Sequence, residues 1–411
     1  MNFISFFKIG RIVLFAILTL LASLQRVDAS EANQQKLVSA NTGFAFDLMG
    51  QVAQTQPDAN VFISPFSVSS ALQMVGNGAA GQTETEMQQV LHTTGLPSAV
   101  VNPAFKELNQ QLASRKDVTL NLANGIWFKQ GFHLKSAIVA DNKKFFQAEL
   151  AGVDFANPQS AQTINQWANK QTQGKIKDIV QYPFDPLTRV ILANAIYFKG
   201  KWVSPFDKSR TKPRDFHLSS GTAKPAPMMA QNRECEYQET PDFQAVQLPY
   251  EGGLQMQVFL PAKNSSPQKL LESFKAPGNW QSNIQPAFAS RKGTLMLPKF
   301  KMEYAVGLND SLKALGMKRA FGTDADFSAM ADEPLFISEV KQKSYVEVDE
   351  KGTEAAAVTT VEWQTASIRR EPPNRFEMIV DRPFLFVISD AASGSILFLG
   401  VVNDPTAGSA P

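Results

Sequence analysis

Thiol and imidazole groups are scarce in this 411-residue chain, which contains one cysteine and three histidines. With Cys235 alone, the protein has no internal disulfide and must be held together by its apolar core. Cys235 lacks the local residues that mark a nucleophilic thiol, so we expect it to be buried or inert. The histidines, His92, His133 and His217, are scattered, and neither an HExxH motif, a metal-spaced Cys/His cluster nor a Gly-x-Ser-x-Gly elbow is present. We therefore expect no metal, no cofactor and no enzymatic activity.

The chain also has no large excess of charge of one sign and no long apolar run. The formal net charge is +2, which gives no reason to expect nucleic acid or an anionic surface as a partner. The N-terminal apolar run, Ile12 to Leu24, is shorter than the roughly 20 residues that span a bilayer. With Lys8 and Arg11 at its start and Val27-Asp28-Ala29 after it, this run predicts a cleaved signal peptide over residues 1–29. We expect a secreted protein, extracellular or periplasmic, without a membrane anchor.

The remaining chain carries no Pro/Gly/Ser-rich linker, repeat or low-complexity tract, so we expect a single domain over residues 30–411. Residues 190–198 are almost continuously apolar and predict a central strand covered on both faces. Helical spacing of apolar residues predicts helices that include residues 33–54, 160–173 and 306–317. Helices and antiparallel strands follow one another without a βαβ rhythm, which indicates an α+β fold.

An unusual segment begins some sixty residues before the C-terminus, after a strand-like run at residues 335–349. Glu350-Lys351-Gly352 marks a turn, and the residues after it are small or β-branched. Alternation gives the segment two faces. Thr353, Ala355 and Ala357 share the face with small side chains, and Glu354 and Ala356 lie on the more polar face. Even-numbered residues face the core before the turn, and odd-numbered residues do so after it. A chain reversal explains this switch, so the turn should lay Thr353 antiparallel to the preceding strand. The segment is a loop that could become a half-buried strand.

Seven segments of the chain, in this order, resemble the serpins over about residue 33 to Pro405. They are Asn60-Val-Phe-Ile-Ser-Pro-Phe-Ser, Asn165-x-Trp167 with Thr172-x-Gly174-Lys175-Ile176, Leu192-Ala-Asn194-Ala-Ile-Tyr-Phe198-Lys-Gly200-Lys-Trp202, Leu297-Pro-Lys299-Phe, Leu315-Gly316-Met317 with Ala320-Phe321, Glu350 to Ala357, and Pro383-Phe384 with Phe398-Leu-Gly400. The resemblance implies three β-sheets, about nine helices and an exposed reactive-centre loop at about residues 350–380. It further implies a monomeric inhibitor of serine proteases, of the inhibitory, secreted, bacterial type.

The resemblance also assigns roles to individual residues. Those of the loop hinge are Glu350, Gly352, Thr353, Glu354, Ala355, Ala356 and Ala357. Those of the region where the main sheet opens are Ser64, Ser67, Asn194, Trp202, Lys299 and Gln342. Serpins usually have a histidine where this chain has Gln342, and an amide cannot charge, which puts a pH-sensitive gate there in doubt. As a plain surface ion pair, Lys299 and Glu350 would contribute at most about 1 kcal/mol.

The family spacing from Gly352 places the scissile bond at Ala366-Ser367. Alanine suits the small pocket of elastase-like or subtilisin-like proteases, with cysteine proteases as a further target class. Arg369-Arg370 lies just downstream and offers trypsin-like enzymes a second site, whose use would lengthen the tether. Two alternatives to an inhibitor stay open, a non-inhibitory carrier, chaperone or storage protein of the same fold and a hydrolase.

Overall fold

The computed structural model describes residues 30–353 and 375–407. Over these residues the chain forms eight α-helices and six shorter 3₁₀ or π segments. The α-helices are α1 (30–55), α2 (Pro65–Gly76), α3 (Gly81–Val90), α4 (Ser98–Ala113), α5 (Ser136–Asp141), α6 (Pro158–Gln171), α7 (Pro267–Lys275) and α8 (Asn309–Leu315). The predicted signal peptide lies outside the described residues. None of the described helices combines the length and apolar character needed to cross a bilayer.

The same residues form fifteen strands. They are β1 (Val61–Ile63), β2 (Val118–Lys129), β3 (Glu149–Val153), β4 (Val190–Lys201), β5 (Lys212–His217), β6 (Ala223–Glu239), β7 (Phe243–Pro249), β8 (Leu254–Pro261), β9 (Ala289–Pro298), β10 (Phe300–Gly307), β11 (Ile337–Asp349), β12 (Gly352–Thr353), β13 (Phe376–Ile379), β14 (Phe384–Asp390) and β15 (Ile396–Val402). Antiparallel pairs dominate, and the parallel pair β2–β3, with α5 between its strands, does not repeat into a βαβ series, so the α+β class is confirmed.

A nine-stranded sheet carries most of the second half of the chain. Its order is β1-β15-β14-β8-β7-β6-β9-β13, with β5 also paired to β6. The 17-residue strand β6 joins two parts of this sheet, because its first residues pair with β5, residues 228–237 pair with β9 and its last residues pair with β7. The described strands therefore make two hydrogen-bonded sheets, this one and a six-stranded one, instead of the expected three. The third expected sheet is part of the nine-stranded sheet, joined to the rest of it through β6.

The six-stranded sheet, in the order β10-β11-β12-β4-β2-β3, holds the segment of functional interest. Strand β11 runs parallel to β4, and the two pair directly from Ile337 opposite Val190 to Tyr345 opposite Tyr197. Beyond the tyrosines the two strands separate, and the short strand β12 lies between them. We call this β11–β4 boundary the seam.

Helix α2 packs under the sheet and begins as its sequence predicts. Ser64 is extended and its hydroxyl accepts from the N–H of Ser67, with Pro65 in the first helical turn. Eleven of its twelve residues are buried, including three serines that have polar partners in the sheet or in α1. This places hydroxyl groups directly beneath the seam.

One helix prediction is wrong at its start, by three residues. Residues 306–307 are the end of strand β10, and the helix covers only Asn309–Leu315. Val306 lies opposite Gln342 on β11, so sheet pairing overrides the local helical spacing. Gly316, with φ of 119°, ends the helix in a left-handed conformation that favours glycine.

Candidate functional site

The turn that returns the chain to the sheet is built by Asp349 and Gly352. The Asp349 carboxylate accepts from the backbone N–H groups of Lys351 at 2.8 Å and Gly352 at 3.2 Å. Burial raises the pKa of Asp349, against the lowering effect of the Lys351 N–H bond. Gly352 has φ of 148°, and a Cβ there would lie 2.1 Å from the carbonyl oxygen of Gly200. Glycine is therefore required both by backbone conformation and by the closeness of β4.

Thr353 already lies in the sheet of the intact protein. It is opposite Val348 on one side and Gly200 on the other, antiparallel to both strands. The predicted chain reversal is thereby confirmed for the two residues of β12. Thr353 is fully buried, and its hydroxyl is 2.7 Å from the hydroxyl of Tyr250. Burial raises the pKa of Tyr250, and its bond to Thr353 opposes that shift, so the phenol is un-ionised at neutral pH.

Trp202 fastens the turn from the end of β4. Its indole N–H donates to the Asp349 carbonyl at 3.0 Å, and its backbone N–H donates to the Lys351 carbonyl at 2.9 Å. The ring stacks on Tyr250, with ring centroids 4.3 Å apart and planes 13° apart. Trp202 thus holds the turn, and Tyr250, stacked on it, holds Thr353.

Lys299 and Glu350 meet at 2.9 Å, beside the turn. The second carboxylate oxygen of Glu350 accepts from the Thr211 hydroxyl at 2.8 Å. Burial by itself would raise the pKa of Glu350, but the hydrogen bonds from Lys299 and Thr211 outweigh it and hold the pKa below its ordinary value. The description as a plain surface pair is wrong, because the Glu350 side chain is only 7% exposed. We call Glu350, Gly352, Thr353, Trp202 and Lys299 the hinge junction.

Farther along the seam, four predicted residues come together beneath the sheet. The Gln342 amide donates to Asn194 at 2.6 Å and to the Ser64 carbonyl at 3.0 Å, and its oxygen accepts from the Ser64 N–H at 2.9 Å. Asn194 in turn donates to the Ser67 hydroxyl. Gln342 and Asn194 face each other across the seam, so their bond links β11 directly to β4.

The resemblance did not single out two further members. Asn124 on β2 lies opposite Asn194, accepts from its amide, and donates to the hydroxyl of Ser70 at 3.3 Å. The sequence did carry a signal for Asn124, which is the one asparagine among the otherwise apolar residues on that face of β2. A buried amide there needs hydrogen-bond partners. We call Ser64, Ser67, Asn194, Gln342, Asn124 and Ser70 the amide cluster.

Other predicted site residues lie outside the described residues. They are Glu354, Ala355, Ala356, Ala357, Ala366, Ser367, Arg369 and Arg370.

Within the described ranges, no group of three or more His, Cys, Asp or Glu side chains is arranged to hold a metal. Cys235 is buried, with its sulfur 3.2 Å from the Nε of Arg233.

Comparison with known proteins identifies the relatives of this chain. A family model described as Serpin (serine protease inhibitor) matches residues 39–405. An uncharacterised serpin-like protein of Thermococcus kodakarensis is 38% identical over 385 residues, covering 92% of this chain and 88% of that protein. The leukocyte elastase inhibitor of Bos taurus is 36% identical over 388 residues, covering 90% of this chain and 100% of that protein. The structure of human thyroxine-binding globulin superposes with a TM-score of 0.81 at 28% identity, covering 91% of this chain and 99% of that one.

Proposed function

This chain belongs to the serpin family of serine protease inhibitors, and we propose that it inhibits serine endopeptidases irreversibly as a suicide substrate. The observation that carries the proposal is the position of Thr353, seated between β11 and β4 at the end of the seam. A strand that has begun to enter a sheet can continue only if the residues that follow it also fit. The small, alternating residues after Thr353 meet that condition.

In the proposed reaction the serine of the protease attacks the carbonyl carbon of Ala366. The bond to the nitrogen of Ser367 breaks, the new N-terminus leaves, and an ester joins Ala366 to the protease. The freed loop then enters the seam and carries the attached protease along the sheet. Displacing a catalytic residue by about 1 Å can cost roughly 100-fold in rate, so water no longer hydrolyses the ester.

The dimensions of the sheet suit this step. Strand β11 has 13 residues, and a stretch of about 14 residues from Thr353 to Ala366, at roughly 3.3 Å each, gives a strand near 46 Å. The cut loop is therefore long enough to fill the sheet from end to end. A dozen new ladder bonds at roughly 0.5–1.5 kcal/mol each would contribute on the order of 10 kcal/mol. That gain is comparable to the stability of an ordinary domain.

The test uses an elastase-type and a trypsin-type protease with the full-length protein. We expect the elastase-type enzyme to form an adduct that survives detergent electrophoresis, and mass spectrometry to show a released peptide beginning at Ser367. A trypsin-type enzyme should cut after Arg369 or Arg370 and dissociate, because the longer tether leaves its active site less distorted. Turnover without an adduct for every protease of both types would contradict the proposed inhibition.

Melting curves separate inhibition from a carrier function, which the name of human thyroxine-binding globulin brings into consideration. Cleavage within the loop should raise the melting temperature of an inhibitor by at least about 10 °C, given the expected stabilisation. An unchanged melting temperature after complete cleavage would favour a non-inhibitory binding protein. The same preparation tests secretion, since the exported protein should begin at Ser30 if residues 1–29 are removed.

A further inference from the structure

The segment after α6 crosses the outer face of the six-stranded sheet, and we call residues 172–181 the strap. Its apolar side chains hold it to one side of the seam. Ile176 is buried in a cluster with Ala123 of β2 and Ala195 of β4. Val180 is buried in a second cluster with Ile191 of β4. Among the described residues, neither cluster includes a side chain of β10 or β11.

Contacts between the strap and the other side of the seam are of a different kind. The Nζ of Lys175 lies 5.2 Å from the ring centroid of Tyr345 on β11 and 5.9 Å from that of Tyr197 on β4. The Nζ of Lys343 on β11 is 2.8 Å from the carboxylate of Asp178 in the strap. Between the strap and β10–β11 there is a cavity of about 280 Å³ that includes Asp178 and Lys343 in its lining. The strap therefore packs closely on β4 but is joined to β11 largely through charged and aromatic groups.

The tyrosine pair occupies a particular place in the sheet. Tyr345 and Tyr197 are the last residues of β11 and β4 that pair directly, and their ring centroids are 6.3 Å apart. Thr353 lies opposite Val348 and Gly200, three residues beyond the tyrosines on each strand. Continuing that antiparallel register by three residues would bring an inserting backbone between Tyr345 and Tyr197. The first strand separation required beyond β12 is thus at this pair.

We propose that Lys175, Tyr345 and Tyr197 form a catch that holds the seam closed and sets how fast it opens. Lys175 sits over one ring from each strand, so separating the strands removes it from at least one of them. The apolar contacts of Ile176 can persist, because they lie wholly on the β4 side. Lys175 and Tyr345 are accordingly positioning residues for strand insertion.

The kinetic consequence of the catch rests on the proposed inhibition. A weaker catch lets the cut loop insert before the acyl-enzyme is hydrolysed, which lowers the number of inhibitor molecules consumed per protease. A weaker catch also makes spontaneous opening of the intact protein more frequent. The second effect needs no protease, so it tests the catch separately.

The experiment is native-state hydrogen exchange of the full-length protein in the absence of protease. We expect Lys175→Ala to accelerate exchange of the seam amides in β4 and β11 about fivefold, the size of a moderate cation–π contact. Hydrogen exchange of the backbone amides that pair β14 with β15 should not change, which separates opening of the seam from general destabilisation. Lys175→Ala should accelerate seam exchange less in a Tyr345→Val protein than on its own, because the contact between Lys175 and the Tyr345 ring is then already absent.

Lys301→Ala is the matched control. The Nζ of Lys301 is 5.5 Å from the same Tyr345 ring. Lys301 lies on β10, which is on the same side of the seam as Tyr345, so its contact does not cross the seam. Its removal should leave seam exchange within about twofold of the unaltered protein. Unchanged seam exchange in Lys175→Ala, or equal acceleration by Lys301→Ala, would overturn the catch while leaving the proposed inhibition intact. Failure of the unaltered protein to inhibit any protease, with the exchange results as expected, would overturn the proposed inhibition and leave the catch intact.

Discussion

The hinge junction and the amide cluster occupy the same seam but hold it in opposite ways. At the hinge junction, β11 and β4 are separated, and Thr353 fills the space between them. At the amide cluster the two strands pair directly, and Gln342 donates to Asn194 across them at 2.6 Å. The junction is held by an ion pair and aromatic rings, whereas the cluster consists of neutral amides and hydroxyls.

The contrast indicates a direction for strand insertion. Separation has been completed at the hinge junction, so further opening must proceed from there toward the amide cluster. A neutral cluster can exchange one set of hydrogen bonds for another without exposing an unpaired buried charge, which would cost several kcal/mol. We therefore expect substitutions at the junction to decide whether a strand can enter, and substitutions in the cluster to decide how stable the closed sheet is.

The largest effect is expected at the junction, from Thr353→Arg. A guanidinium would replace a fully buried side chain beside Tyr250, without a carboxylate to pair with. Cleavage by the protease should continue while insertion stalls, so the protein becomes a substrate and at least about 10-fold more of it is consumed per protease inhibited. Titration of residual protease activity measures this ratio.

Thr353→Val is the control for that substitution. Valine keeps the β-branched shape and loses only the hydroxyl, so it should retain inhibition at nearly the original ratio. Detergent-resistant complexes formed by Thr353→Arg at the unaltered stoichiometry would show that burial of this position is not needed.

The next largest effect is expected in the amide cluster, from Asn194→Ala. Its side chain donates to Ser67 and Asn124 and accepts from Gln342, so its removal leaves buried polar groups without partners. We expect the free energy of unfolding to fall by about 2–4 kcal/mol, as measured by denaturant titration. Asn121→Ala is the control in the same sheet, because Asn121 is only half-buried and its amide donates to the Gln171 carbonyl, away from the cluster. A loss no larger than that of Asn121→Ala would contradict the role given to the cluster.

Gln342→His should give the cluster the pH dependence that the natural amide lacks. Burial would lower the pKa of this histidine in the folded protein below its ordinary value of about 6.5. The unfolded chain would then bind a proton more readily, so stability is present above about pH 6.5 and is lost as the pH falls. We expect a loss of about 1–2 kcal/mol at pH 5 relative to pH 8, beyond any change in the unaltered protein. Parallel curves for the two proteins would show that position 342 does not control a pH response.

Residues of the seam could be identified from the sequence, but the strap that covers them could not. Alternation along β11 puts the even-numbered Gln342 on the inner face and Lys343 and Tyr345 on the outer face, which agrees with their contacts to Ser64 and to the strap. It could not show that both outer side chains are buried, because the strap that covers them comes from residues more than 150 positions earlier. Face is a local property of a strand, whereas burial depends on long-range packing.

The same limit applies to the hinge junction. Gly352 was predictable because a turn and a close backbone approach both require glycine. Tyr250 was missed because it follows β7 in the other sheet, and local sequence carries no signal that it would reach Thr353. The Lys299–Glu350 pair was identified, but its burial and its third partner, Thr211, were not. In each case the backbone requirement was local and the side-chain environment was not.

The smallest expected effect tests whether the Tyr250 hydroxyl acts on the hinge junction or only on general stability. Tyr250→Phe keeps the ring stacked on Trp202 and removes the bond to Thr353. We expect the free energy of unfolding to fall by about 1 kcal/mol and exchange of the Thr353 amide to rise about fivefold.

Tyr237→Phe is a close match for that change. Tyr237 is also buried and stacked on an aromatic ring, Phe376, with centroids 4.4 Å apart, and its hydroxyl accepts from Gln244 at 2.8 Å. It should cost a similar free energy without altering exchange at Thr353, because it lies in the nine-stranded sheet. If both variants accelerated Thr353 exchange equally, the Tyr250 hydroxyl would have no specific hold on the hinge. If only Tyr250→Phe does so, one hydrogen bond between the two sheets restrains the strand from which insertion begins.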